Sequence, residues 1–209
     1  MKTQQWNRFA GFNALANTED LVCLSRTRWR WLDPRLRALL GMAAQHWRVF
    51  FVERTPTSWA GAINGGSAAT QVIRVASTRE GVWTVRPARM GAVGNLLPEE
   101  RLLPVLRGFL DEAGIHEPVL WHLDASSAGD MDALPVWATL YLKPSMHTHA
   151  CQSQREHKAD AALRETSDAL IDPAVLTLPA REGWNSVSNE IIRAACRRQH
   201  APMAYLSAA

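Results

Sequence analysis

The chain has 209 residues, 47% hydrophobic and 21% charged, with a net charge of +3; that is enough for one sizeable folded domain and short for two. No apolar run approaches the roughly 20 residues of a membrane span, and residues 1–20 lack the apolar core of a secretory signal. Cys23, Cys151 and Cys196 are odd in number and widely spaced, which argues against a disulfide framework. The expectation is a cytoplasmic protein without a transmembrane segment, at most peripheral to the inner face of the membrane. Lys2, Lys143 and Lys158 are the only lysines. Arginine suits bidentate contacts with phosphate or carboxylate, although a genome rich in G and C yields the same composition.

Residues 1–20 show no periodicity and read as a lead-in. Residues 21–25, LVCLS, form an apolar run that suits a strand buried on both faces of a parallel sheet. Pro34 sits where a helix begins, and Leu36, Leu39, Leu40 and Ala43 recur at helical spacing. Residues 48–53, RVFFVE, are branched and aromatic enough for a second strand. The three together make a βαβ unit. Ligand sites in such units lie beyond the carboxyl ends of the strands, so the loop over residues 25–33 is the first place to look for function.

Residues 55–70, with Pro56, Gly61, Gly65 and Gly66, read as a long loop. Strands follow at 71–76 and 81–87, joined at a turn of Arg79, Glu80 and Gly81. In the second of them Val82, Thr84 and Arg86 share one face, and Trp83 and Val85 share the other. After a glycine-containing loop at 90–98, Pro98, Glu99 and Glu100 open a helix whose acidic first turn suits the dipole. Leu102, Leu103, Val105, Leu106, Phe109 and Leu110 make its apolar side, and Gly114 ends it. Residues 118–123 read as a buried strand, 131–137 as a brief helix and 138–142 as another strand. The charged stretch 147–170 reads as helical for much of its length. Short strands at 169–172 and 175–178 precede a closing helix at 185–198 that buries Val187, Ile191, Ala194 and Ala195. The alternation predicts an α/β fold: a single doubly wound, mainly parallel, Rossmann-like sheet over residues 21–200, with a tail at 201–209.

The stretch LVCLSRTRWRWLDPRLRALL…WRVFFVER resembles the opening of the GT-B-type glycosyltransferases of the family 4 or family 1 kind. Ser25, Arg28, Trp29, Arg35, Leu39, Arg48, Val49, Phe51, Val52 and Glu53 stand at matching places. The helix start departs from the family, with Arg35, Leu36, Arg37 and Ala38 where an Arg-Pro-Gln-His run is usual. The resemblance implies the N-terminal, acceptor-side half of a GT-B fold. It implies glycosyl transfer in polysaccharide or glycolipid synthesis, with a sugar nucleotide as donor substrate and no further cofactor. The glycine-rich loop and glutamate pair of the family's donor domain are not found. The implied partners are therefore a glycan or glycolipid acceptor and either a protein supplying the donor half or a second copy of the chain. A non-catalytic binding or scaffold protein that keeps the fold is the competing reading.

Several residues carry candidate chemistry. Arg28 and Trp29 lie in a basic, aromatic loop with Arg26, Arg30 and Trp31. A Trp face stacks on a sugar and an Arg clamps an anion; alternatively the indoles pack under the helix and the guanidiniums are solvated. The same alternation suits nucleic acid, but the small net charge argues against that partner. Asp124, just past a strand, either deprotonates an acceptor hydroxyl or caps the turn. His122 reads as a core or edge residue. His147, His149 and Cys151 share a face if extended, as zinc would need, yet no second ligand pair stands at recognised spacing, so no metal is expected. The first βα loop has no Gly-x-Gly-x-x-Gly, which argues against a nicotinamide cofactor; Glu53 nevertheless ends the second strand, where an acidic residue meets a ribose in dinucleotide folds.

Overall fold

The computed structural model describes residues 20–53, 73–87, 102–125, 135–144 and 154–200. Seven strands form one sheet: β1 (Asp20–Ser25), β2 (Arg48–Glu53), β3 (Ile73–Ser77), β4 (Trp83–Pro87), β5 (Val119–His122), β6 (Ala138–Leu142) and β7 (Ala169–Ile171). Their order is β3-β4-β2-β1-β5-β6-β7. Every pairing is parallel except the β3–β4 hairpin at one edge. The fold is thus α/β and Rossmann-like, with a single mostly parallel sheet. The order reverses at β1, whose neighbours β2 and β5 lie on opposite sides, and this is the topological switch point of such sheets.

The central strands are buried on both faces, which is why they read as unbroken apolar runs rather than alternating ones. Leu21, Cys23, Val49, Phe51 and Trp121 face α1 (Pro34–Ala43) and α4 (Ala180–His200). Val22, Leu24, Phe50, Val52 and Leu120 face α2 (Leu102–Glu112), which meets them with Leu106, Phe109 and Leu110. Further along the sheet, Tyr141 and Ala125 pack against Leu163 of α3 (Gln154–Thr166). Burial pushes the pKa of the Cys23 thiol far up, so it stays protonated and serves as a small apolar core residue.

Local chemistry sets the element ends. Asp33 caps α1, its side chain accepting from the Arg35 N–H at 2.7 Å, with Pro34 in the first turn. Gly114 adopts φ +64° after α2, the left-handed conformation that ends helices. The β3–β4 turn closes on Gly81, at φ +83°, as expected for Arg79, Glu80 and Gly81. The register pairs Phe51 with Thr84 and Val52 with Val85, so the expected faces of β4 are observed. Gly183 lets α4 approach the preceding turn: a Cβ there would lie 2.7 Å from the Val175 carbonyl oxygen.

Three expectations change. Of the segment expected as a strand at 175–178, residues 175–177 belong to a 3-10 helix, Pro173–Thr177, and Leu178 follows it. Asp172 accepts from the Ala174 N–H at 2.8 Å and Pro173 fixes the first turn, so capping overrides the branched composition. Residues 135–137, expected at the end of a brief helix, are not helical. The closing helix starts at Ala180 rather than at 185. The loop at 55–70, the loop at 90–98 and the His147–Cys151 cluster lie outside the described residues. Among the described residues, no helix is long and apolar enough to cross a membrane, and no group of three or more His, Cys, Asp or Glu side chains is placed to hold a metal.

Candidate functional site

At the carboxyl ends of β1 and β5, where ligands enter sheets of this order, the protein's own side chains fill the space. Asp124 follows β5, and its Oδ2 accepts from the Ser25 hydroxyl at 3.0 Å and from the Arg26 N–H at 2.8 Å. The Ser25 Oγ in turn accepts from the Thr27 N–H at 3.0 Å, and the Leu123 N–H donates to the Leu24 carbonyl at 3.0 Å. A carboxylate therefore sits against the first N–H group of the β1 loop. Arg26 leans the other way, 3.6 Å from Glu156 at the start of α3. His122, read as a core or edge residue, is buried at the end of β5.

The loop then turns over the neighbouring strand. Residues Trp29–Trp31 form one turn of 3-10 helix. The Trp29 N–H donates to Oε1 of Glu53, the last residue of β2, at 3.1 Å. Trp29 is 9% exposed, and its ring meets Phe51 edge-on at 5.2 Å between centroids. Trp31 is the outward indole, 64% exposed. The guanidiniums of Arg30 and Arg28 lie 4.3 and 5.2 Å from its ring centroid, within cation–π range. The alternation of Arg and Trp thus resolves into one indole inside and one outside.

Beside this turn lies a cleft of about 200 Å³ lined by Arg28, Trp29, Arg30, Glu53, Thr78, Thr84 and Arg86. Its floor is built by register. Thr84 is paired with Phe51, so Thr84 and Arg86 project to the same side as Phe51 and Glu53. Glu53, 5% exposed, is the buried carboxylate of the cleft. The Thr84 hydroxyl donates to the Ala76 carbonyl at 3.1 Å, which leaves its oxygen as an acceptor. The Thr78 Oγ accepts from the Val82 N–H at 3.2 Å, which leaves its proton available. Among the described residues of the lining, three are arginines and one is a carboxylate, a balance that suits anions.

Of the residues singled out in the sequence, Arg28 and Trp29 line this cleft, while Asp124 belongs to the crossing between β1 and β5. Arg86, Thr84 and Thr78 enter from the hairpin. Their signal in the sequence was a strand face that is apolar at Val82 and turns polar at Thr84 and Arg86.

No protein-family model matches the sequence, and no curated protein matches it. A solved structure of sucrose-phosphate synthase from Thermosynechococcus elongatus is similar, with a TM-score of 0.43 and 14% identity over 87% of this chain and 96% of that one. Likeness at that level does not establish a family, and the α/β class stands on the strand order and pairing described above.

Proposed function

We propose that the chain is a glycosyltransferase-like domain of the acceptor-side GT-B kind, serving polysaccharide or glycolipid synthesis. Arg28 and Trp29 contact the acceptor. Asp124 takes the proton of an acceptor hydroxyl as that oxygen attacks the anomeric carbon of a sugar nucleotide and the nucleoside diphosphate leaves. The donor half is supplied by a partner protein or a second copy of the chain. The observation that carries this reading is the arginine-lined cleft beside the first βα turn, on the side of the sheet where ligands of α/β domains gather. The sequence resemblance over β1, α1 and β2 supports it further.

A second reading is a binding protein that keeps the fold without the chemistry. It is favoured by the engagement of Asp124, whose Oδ2 already accepts from Ser25 and Arg26. Calorimetric titration against UDP-, GDP- and TDP-sugars, with the native mass determined in the same buffer, separates the two. Saturable binding that Arg28→Ala weakens would mean that this one domain holds a donor site of its own, and a transferase assay then follows. Silence across the panel moves the protein to the binding class.

A further inference from the structure

The sheet ends differently at its two edges. β7 closes one edge with three residues, and the 3-10 turn capped by Asp172 follows it at once. A strand that short offers little to pair with. β3 forms the other edge with five residues, and among the described residues it pairs with β4 alone. Its register runs unbroken from Ile73 opposite Pro87 to Ser77 opposite Trp83, so no bulge twists the edge away. The strand contains no proline and no lysine, the residues that commonly blunt an edge.

The hairpin fixes which backbone groups of β3 point outward. The Thr78 N–H donates to the Val82 carbonyl at 2.8 Å. Thr78 is therefore a hydrogen-bonded position, and by alternation so are Ala76 and Arg74. Pro87, which has no N–H to give, accordingly stands at a non-bonded position opposite Ile73. The N–H and C=O groups of Ile73, Val75 and Ser77 then point away from β4, along the edge. They are placed symmetrically about Val75. An antiparallel copy centred there pairs Val75 with its twin, and Ile73 of each copy with Ser77 of the other. Residues so paired exchange both bonds, so every outward group of the strand is satisfied. Arg74, the one charged residue of the strand, stands opposite Ala76 of the partner subunit and not opposite itself. Val75 is half-buried and packs on the apolar layer beneath α2, and a branched pair across the axis extends that layer.

We infer that β3 pairs antiparallel with β3 of a second copy about a two-fold axis through Val75, joining two sheets into one. This does not rest on the transferase reading, which leaves the partner open. Five residues span only about 17 Å, less than a standard interface needs, so a weak dimer is expected, with a Kd of about 10–100 μM.

The test is sedimentation of the full chain from well below to well above that range, with amide hydrogen exchange at both limits. The mass should rise toward that of a dimer. The Val75 and Ser77 amides should exchange freely when dilute and become protected when concentrated. Those of Arg74 and Ala76, bonded to β4, should be protected at both limits. Val75→Pro removes an outward N–H and none that β4 uses, so it should keep the fold by circular dichroism and abolish the dimer. Val75→Lys sets like charges face to face on the axis and should weaken association about tenfold at low salt, less at high salt. A monomer throughout overturns the inference. So does a dimer in which Val75 and Ser77 exchange as they do in the monomer, or one that both variants leave intact. Protection of those two amides in the dilute monomer means that the chain covers its own edge, which also overturns it. A dimer with silence toward sugar nucleotides leaves the inference standing and removes the transferase reading.

Discussion

The two ends of the parallel sheet use arginine in opposite ways. At the amino end of β1 and β2, Arg48 and Asp20 face each other across the ladder. Their side chains are 7% and 8% exposed. Arg48 Nε and Nη2 donate to the two Asp20 oxygens at 2.6 Å each, and Nη2 also reaches the Gly114 carbonyl at 3.3 Å. At the carboxyl end Arg28, Arg30 and Arg86 line an open cleft with the carboxylate of Glu53. A guanidinium taken out of water must be matched atom for atom; one left at a cleft mouth keeps its hydration until a ligand replaces it. The closed end holds strands together, and the open end leaves Arg30 and Arg86 exposed.

The strongest way to break this contrast is at Arg48. Arg48→Ala leaves Asp20 charged with no counter-ion, and about 3–5 kcal/mol of stability should be lost. Urea unfolding measures it. Replacing both partners together, as Asp20→Leu with Arg48→Met, should recover most of that loss, because the penalty is mainly the stranded charge. If the double variant is as unstable as the single one, the pair contributes specific bonding beyond mutual neutralisation.

Next in size is Tyr141, which closes the sheet under α3. Its hydroxyl donates to Asp160 Oδ1 at 2.6 Å, and Arg164 donates to Oδ2 at 2.9 Å. Tyr141→Phe should cost about 1–3 kcal/mol, since a buried carboxylate oxygen loses its donor. Burial, and secondarily the hydrogen bond to Asp160, raise the Tyr141 pKa well above its ordinary value. A raised pKa gives stability that is complete below the unfolded-state value and is lost as pH rises through the folded one. Unfolding free energy should therefore decline above about pH 10 as the tyrosine of the unfolded chain ionises. Tyr141→Phe should flatten that part of the profile, and the Cys23 thiol, raised by burial, should leave a similar slope from about pH 8.5.

Asp124 stands at the carboxyl end too, at the crossing between β1 and β5. Asp124→Ala removes the acceptor for Ser25 and the Arg26 N–H. About 1 kcal/mol is expected, because the Arg26 amide is exposed and finds water instead. Amide hydrogen exchange at Arg26 and Thr27 should quicken while β2 stays protected. Unchanged exchange there means the loop is held by its other contacts.

How much of this was legible in the sequence follows from the range of each interaction. β1, α1 and β2 are local signals: LVCLS and RVFFVE are long enough to be buried on both faces, and Asp33 with Pro34 marks the helix start. The 3-10 turn at Pro173–Thr177 was misread because its apolar residues outweighed a cap formed by the two residues before them. Arg28 and Trp29 stand out as candidates because ligand sites of βαβ units lie in the loop after the first strand. Packing of the indoles under the helix is the alternative reading; it holds for Trp29 and not for Trp31, and which of the two turns inward depends on a hydrogen bond to Glu53, 24 residues away. Arg86 could not be placed beside that loop from sequence alone. Its position depends on β4 pairing with β2, and a shift of one residue in that register would turn Thr84 and Arg86 to the opposite face.

The smallest expected effect decides the comparison. Arg30→Ala and Arg86→Ala remove guanidiniums that are exposed and carry no described ion pair, so stability should move by less than about 0.5 kcal/mol. The sign is predictable. Arg86 is repelled by its two neighbours around the cleft, so Arg86→Ala should raise the urea midpoint slightly at low salt, whereas Arg30→Ala also gives up the contact with Trp31 and should fall below it. The gain should vanish near 1 M salt, where the screening length falls to about 3 Å; urea is the right denaturant because guanidinium would screen the charges itself. A loss above about 1 kcal/mol in either variant would make that arginine structural, like Arg48, and the two ends of the sheet would no longer differ in kind. A small gain that salt removes means that the open end keeps like charges together at a cost to stability, which a bound anion would offset.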